Sequence, residues 1–465
     1  MKATPPAAAR PPRVPRVPAD PVRVVALDAL RTVREQDAYA NLVLPGLLAS
    51  RRLEARDAAF ATELVYGTLR ALGTYDAILG DLVDRPLDAL DPLVLDVLRL
   101  GTHQLLATRV GDHAAVDESV KLVRDKVGHG PTGLVNAVLR KVAARDLAGW
   151  CTAISPRFDV DPIGHLSLTQ SHPRWIVEGF RDALDGDLDE TMALLAADNV
   201  RPSVTLVARP GRCDVEELVA LGARLGRWAP TAAILDGGAP TALAAVREGR
   251  AGVQDEGSQL VALALAAAPI VGSDERWLDM CAGPGGKAAL LAGLASGRGA
   301  RLLAVERQPH RARLVSHAVA DTADVAVADG TAPPWVPASF DRVLVDVPCS
   351  GLGALRRRPE ARWRRTLADV EALRPQQVAL LRSALDAVRP GGLVAYVTCS
   401  PHLRETRSVV DEAISGRPGA GVERIDVRPY LPGVDLLGDG PDVQLWPHRH
   451  GTDAMYIALL RRGLV

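Results

Sequence analysis

Two cysteines carry the sharpest chemistry in this sequence. Cys349 stands in "DVPCSG" and Cys399 in "VTCSPHLRET", each just past an apolar run that reads as a strand. A thiolate is a strong, soft nucleophile able to add to an electron-poor ring carbon. No metal-ligand spacing surrounds either residue, which favours covalent catalysis. A disulfide between them is the competing reading, and it needs an oxidising compartment. The other cysteines are Cys151, Cys213 and Cys281. Their odd total and the lack of a CxxC pair argue against a zinc site and a disulfide framework, and for a reducing cytoplasm. Cys151 and Cys213 read as small buried hydrophobes.

A second group of residues could hold a ligand. "LDMCAGPGGKAALLAGL" (278–294) is a glycine loop between a strand and a helix. It lacks the early glycine and the hydroxyl after lysine of a phosphate loop, because Cys281 and Ala288 occupy those places. Pro284 and Lys287 also break the GxGxxG pattern. Three carboxylates follow at strand ends: Glu306 after "RLLAV", Asp329 in "VADG" and Asp346 in "VDVPCSG". Any one could be a solvated strand-end acid. Three at one sheet edge suit ribose hydroxyls and a nucleoside-bearing cofactor without a phosphate cradle, such as S-adenosylmethionine.

These residues need a sheet to align them. From about residue 251 to 465, apolar strands alternate with helices, which predicts an α/β, Rossmann-like, doubly wound and mostly parallel sheet. Ligands of such sheets sit at the carboxyl ends of the strands. Residues 22–145 show apolar spacings of three and four with no strand-like alternation, which predicts an all-helical domain. Residues 146–250 read as a linker over 145–170 and then a small mixed subdomain. Residues 1–21 are proline-punctuated without an apolar core, so they read as a disordered basic tail and not a signal peptide.

The bulk properties narrow the partners. The chain has 465 residues and a formal net charge of −1, so a nucleic-acid partner requires a local basic patch. "LRRRPEARWRR" (355–365) offers one: Arg356, Arg357, Arg358, Arg362, Arg364 and Arg365 around Trp363. Arginines bind phosphates and an interleaved aromatic can stack on a base. A solvated helical face with an inward tryptophan is the plainer alternative. Apolar runs are too short to cross a bilayer, so no membrane partner is expected. A metal is not expected either, and a monomer is the default.

Together, "DMCAGPGGK", "DVPCSGLG" and "VTCSPHLRET" resemble the RNA (cytosine-5) methyltransferases, most of all the RsmB/Sun (Fmu) type that modifies small-subunit ribosomal RNA. The N-terminal helices resemble the NusB-type RNA-binding domain of that subgroup. The resemblance implies that Cys281, Ala282, Gly283, Pro284, Gly285, Gly286 and Lys287 wrap S-adenosylmethionine. It implies that Glu306, where the family often has aspartate, holds the ribose, and that Asp329 contacts the adenine. Asp346 is then placed between cofactor and base, Cys399 is the nucleophile, and Cys349 assists release. "VQDEGSQL" (253–260) resembles a cofactor-flanking motif. Ala454 and Met455 stand where a Gly-Phe pair is more usual.

The chemistry implied is addition of Cys399 to carbon 6 of cytosine, which makes carbon 5 enamine-like. Asp346 stabilises the charge through the N3 edge, and the base leaves its stack to reach the pocket. A transfer-RNA methyltransferase would share these motifs. A DNA cytosine methyltransferase fits less well, because those use the cysteine after proline as nucleophile. A non-catalytic RNA-binding or antitermination factor is opposed by the intact Cys399, Cys349, Asp346 and Lys287.

Overall fold

The computed structural model describes residues 18–415 and 421–464, which form two compact units that meet in sequence at Ser171 and His172. Of the expected tail, residues 1–17 lie outside the described residues. A helix already starts at Pro21, where Asp20 caps it by accepting from Arg23 N at 3.1 Å.

The first unit contains nine α-helices among the described residues and no strand, from Pro21–Glu35 to Pro162–Thr169. Its core is built from the apolar positions that recur every three or four residues, among them Leu27, Leu64, Ile78, Leu98, Leu122 and Leu139. Each such burial contributes roughly 1.5–3 kcal/mol. The expected linker over 145–170 is instead two short helices, Leu147–Ile154 and Pro162–Thr169. The Trp150 indole donates to Val142 O at 2.8 Å, and the Thr74 hydroxyl donates to Leu168 O at 2.6 Å. Helices of eight residues are too short to show a period, and Pro156 and Pro162 punctuate them.

The second unit opens with helices Arg174–Ala183 and Leu188–Asp198. A small antiparallel sheet follows in the order β2-β3-β1-β4, from β1 (Val204–Ala208), β2 (Arg224–Leu225), β3 (Ala232–Leu235) and β4 (Ala251–Val253). The main sheet comprises β5 (Arg276–Asp279), β6 (Arg301–Glu306), β7 (Asp324–Val327), β8 (Phe340–Asp346), β9 (Val388–Thr398), β10 (Val422–Ile425), β11 (Val443–Gln444) and β12 (Tyr456–Arg462). Its order is β10-β12-β9-β8-β5-β6-β7, with β11 paired to β12.

Strands β5 to β9 are mutually parallel, and the chain reverses direction across the sheet between β5 and β8. That is the switch point at which ligands of doubly wound sheets bind. β12 runs antiparallel between β9 and β10, so the sheet is mixed. β10 and β11 were not legible in the sequence, being short and partly polar.

Parallel register brings the chemistry to one edge. Asp279 pairs with Ala304, Glu306 with Val327 and Asp346 with Val397, each at the last residue of its strand. The opposite edge carries charge too, but pairs it internally. Asp341 accepts from Glu275 N at 2.8 Å, Arg276 N at 2.7 Å and Ser273 Oγ at 2.9 Å, and bonds Arg389 as well. Buried Arg342 donates two bonds of 2.8 Å to Asp274 and two of 2.6 Å to the carbonyls of Leu265 and Ala268.

Candidate active site

The glycine loop is pinned to both neighbouring strands. Met280 N donates to Leu344 O at 2.9 Å on the β8 side, and Ala282 N to Val305 O at 2.8 Å on the β6 side. Gly285 closes the turn with a 2.7 Å bond to Ala282 O. Its φ of +112° and the closeness of Ala318 leave no room for a side chain. A β-carbon on Gly283 would collide with the Glu306 carboxyl group. The helix Gly286–Ser296 then starts directly after the turn, its first N–H groups lacking intrahelical acceptors.

Lys287 crosses the crevice to Asp346, with Nζ and Oδ2 at 2.9 Å. Burial alone would lower the Lys287 pKa, yet the Asp346 carboxylate outweighs it and holds the ammonium above its ordinary value. The neighbouring Cys399 and Asp279 act in the same direction. Glu306 is nearly buried; its Oε1 accepts from Gln308 N at 2.9 Å. Arg311 donates to Gly283 O at 2.6 Å, with its Nε 3.6 Å from Glu306.

Asp329 is more exposed. Its Oδ1 accepts from Thr331 Oγ1 at 2.7 Å and Thr331 N at 2.9 Å, which hold its carboxyl below the usual range. One oxygen is thus committed to a turn, and the other faces Arg307 at 3.6 Å.

The structure adds two residues to this side. Asp279 ends β5 and is 1% exposed, and among the described residues no side-chain donor reaches its carboxyl oxygens, the Cys281 backbone N–H alone lying near enough to favour the carboxylate. Burial, reinforced by the Asp346 charge, pushes its pKa up to about 7. The sequence signal was present, since "RWLDM" ends a strand, but an acid inside an apolar run passes for part of the run. Gln254, in the "VQDEGSQL" segment, presents its amide to Gly286 and leaves Oε1 unpartnered. Buried orphan groups converging on one crevice are the mark of a site completed by a ligand. Cys281 lines the same loop; burial, with Asp279 and Asp346, pushes its thiol well above the usual range.

Cys349 and Cys399 meet. Cys349 Sγ and Cys399 Sγ stand 3.3 Å apart, one past β8 and the other past β9. The hydrogen bond to Cys399 and burial push the Cys349 thiol well above its usual range, so it stays protonated. All five cysteines are free.

The arginine run divides. Arg357 bonds Asp255 at 2.6 Å and Asp453 at 3.0 Å, and Arg356 lies 3.3 Å from Asp453. Arg362 is fully buried and donates to Asn199 Oδ1 at 2.8 Å. As candidates for RNA contact these three are corrected to internal ties, because Asp255, Asp453 and Asn199 hold their guanidinium groups against the fold. Arg358 and Trp363 are exposed, and Arg364 and Arg365 partly so. Among the described residues no three His, Cys, Asp or Glu side chains group as a metal site, and no helix is long and apolar enough to cross a membrane.

A Rossmann-like sheet with a glycine loop at its switch point, and a thiol pair beside an acid–lysine pair, is an arrangement that suits a methyltransferase. Comparison with known proteins agrees: residues 266–461 match the family described as 16S rRNA methyltransferase RsmB/F, and residues 20–144 match the NusB family. The chain belongs to the RsmB/F methyltransferases, RNA-modifying enzymes, and carries a NusB domain ahead of the catalytic one.

It is 53% identical to a putative methyltransferase, MT1451, of Mycobacterium tuberculosis, over 95% of this chain and 96% of that one. It is 30% identical to the probable ribosomal RNA small subunit methyltransferase B of Bacillus subtilis, over 95% and 98%. Among solved structures, that of PH0851 superposes with a TM-score of 0.78 at 21% identity, covering 96% of this chain and all of that one.

Proposed function

We propose that this protein methylates carbon 5 of a cytosine in small-subunit (16S) ribosomal RNA, with S-adenosylmethionine as donor. The observation that carries the reading is the 3.3 Å Cys349–Cys399 pair flanking the Asp346–Lys287 pair at the switch point. The loop from Cys281 to Lys287 holds the donor, with Glu306 on the ribose and Asp329 towards the adenine. The orphan Asp279 and Gln254 oxygens and the side-chain-free faces of Gly283 and Gly285 suit such a ligand. When bound, it supplies an electrophilic methyl group to the crevice.

The chain's own residues do the rest. Cys399 adds as thiolate to carbon 6, and the ring's π electrons shift to carbon 5 and the N3 edge. Asp346, held by Lys287, shares a proton with that edge and so steadies the developing negative charge. Carbon 5 takes the methyl group, loses its proton to a base, and expels Cys399. Cys349, protonated and in hydrogen-bond contact with Cys399, is placed to return a proton to the departing sulfur. Arg358, Trp363, Arg364 and Arg365, next in sequence to the Cys349 loop, are the remaining candidates for RNA contact.

The test is transfer of a tritiated methyl group from S-adenosylmethionine to small-subunit RNA, followed by nucleoside mapping. Label in 5-methylcytidine of that RNA is the expected result. Label confined to transfer RNA, or to another nucleoside, would sink the proposal.

A further inference from the structure

We infer that Glu405 is the positioning residue that sets the spacing of the two thiols. The inference rests on the reading of Cys399 as nucleophile and Cys349 as its helper. Glu405 lies in the short turn Leu403–Glu405 of the Cys399 loop and is fully buried. Its Oε1 accepts from Ser350 N at 2.8 Å and from Gln377 Nε2 at 3.1 Å, and its Oε2 accepts from the Ser350 hydroxyl. The same Gln377 amide donates to Pro348 O at 2.9 Å. The residues on either side of Cys349 are thus fastened by one carboxyl group and its amide partner.

The other thiol is tied to the same post. Tyr396 of β9 donates its hydroxyl to Glu405 O at 2.7 Å, and Ser350 Oγ lies 3.3 Å from Ser400 Oγ. Gly353 N donates to Cys399 O at 2.8 Å. Glu405 is 55 residues from Ser350 and 28 from Gln377 along the chain, so three separate segments close on it. A buried carboxyl group is costly unless donors meet it. Here three donors from the protein do so without any ligand. That is the property a residue needs if it is to fix catalytic geometry before substrate arrives. Asp279, by contrast, is met by no side-chain donor among the described residues.

Two measurements on the full-length protein test this. The first is capture of the thiol pair by phenylarsine oxide, in which the arsenic forms two As–S bonds and loses its oxygen with both thiol protons as water. Peptide mapping by mass spectrometry reads the Cys349–Cys399 bridge. The second is methyl transfer to small-subunit RNA, with kcat and the cofactor KM measured separately.

Glu405→Ala is expected to slow bridging about 10-fold and lower kcat about 100-fold, the scale of an ångström-sized misplacement, with the cofactor KM within about twofold. Glu405→Gln, which keeps an acceptor for Ser350 N, is expected to restore both to within about threefold of wild type. Wild-type bridging and kcat in Glu405→Ala, or a loss confined to the cofactor KM, would overturn the assignment, as would absence of the bridge in the unaltered protein. Should Glu405→Ala fail to fold, Ser350→Ala removes one donor alone, and an unchanged kcat there is equally fatal. The arsenical assay contains neither RNA nor cofactor. Bridging that depends on Glu405 in a protein inactive on ribosomal RNA would therefore break the functional proposal and leave the clamp standing.

Discussion

The two ends of the main sheet carry similar charges and treat them in opposite ways. At the amino ends, Asp341, Asp274, Arg342 and Arg389 satisfy one another and nearby backbone. At the carboxyl ends, among the described residues, Asp279 meets no side-chain donor, Glu306 leaves one oxygen to a guanidinium 3.6 Å away, and Lys287 and Asp346 pair with each other. Equal chemistry thus serves cohesion at one edge and incompleteness at the other. A charge bonded all round holds the fold; one left open waits for something else.

The comparison breaks first at Cys399. Cys399→Ser is expected to lower single-turnover methyl transfer by on the order of 10⁴-fold or more, while S-adenosylhomocysteine binding by calorimetry is unchanged. Near-normal turnover would remove Cys399 from the nucleophile role. Cys349→Ala separates the two thiols: product release slows and a covalent protein–RNA adduct collects on a denaturing gel. Intact turnover with no adduct would count against its part in release.

The amino end should respond in stability alone. Asp341→Ala leaves Arg389 and two backbone N–H groups without their acceptor, and is expected to cost about 3–5 kcal/mol in denaturant unfolding. Its kcat per folded molecule should stay within about twofold; a selective loss of turnover would erase the contrast. Glu306→Ala should do the reverse, weakening cofactor binding about 10- to 100-fold with little change in unfolding.

The smallest effect is one of pH. Asp279 titrates near pH 7 in the folded protein, above an ordinary carboxyl, under the influence of burial, Asp346, Lys287 and Glu306. The folded state therefore binds the extra proton, and the contribution is full below the unfolded value near 4. It is lost as pH rises through 7. The ligand-free protein should lose about 2–3 kcal/mol between pH 5 and 8 on this account, and Asp279→Asn should flatten that slope. Asp198, also near 7 through burial, adds a slope that the variant leaves in place. An identical slope in Asp279→Asn would show that Asp279 does not titrate there.

Much of the site was readable in sequence because its parts are local. A glycine loop, a strand-end acid and a cysteine past a strand each declare themselves within ten residues, and parallel register does the gathering. The fate of the arginine run was not readable. Arg357 finds Asp453 and Asp255 at separations of 96 and 102 residues, and Arg362 finds Asn199 at 163. No local pattern tells a cation that binds phosphate from one that closes a fold. Glu405 was hidden for the same reason, and the 147–169 helices because they are too short to display a period.

One topological feature bears on when the enzyme comes into being. β9, the strand that ends at Thr398 just before Cys399, lies between β8 and β12, and Thr398 pairs with Tyr456. The ribosome makes β8 and β9 well before β12. While Tyr456–Arg462 are still unmade, the strand that leads to Cys399 is a half-paired edge with no neighbour on its far side. Translation must pass Arg462 before that edge is sealed, so Cys399 acquires its final surroundings late in synthesis.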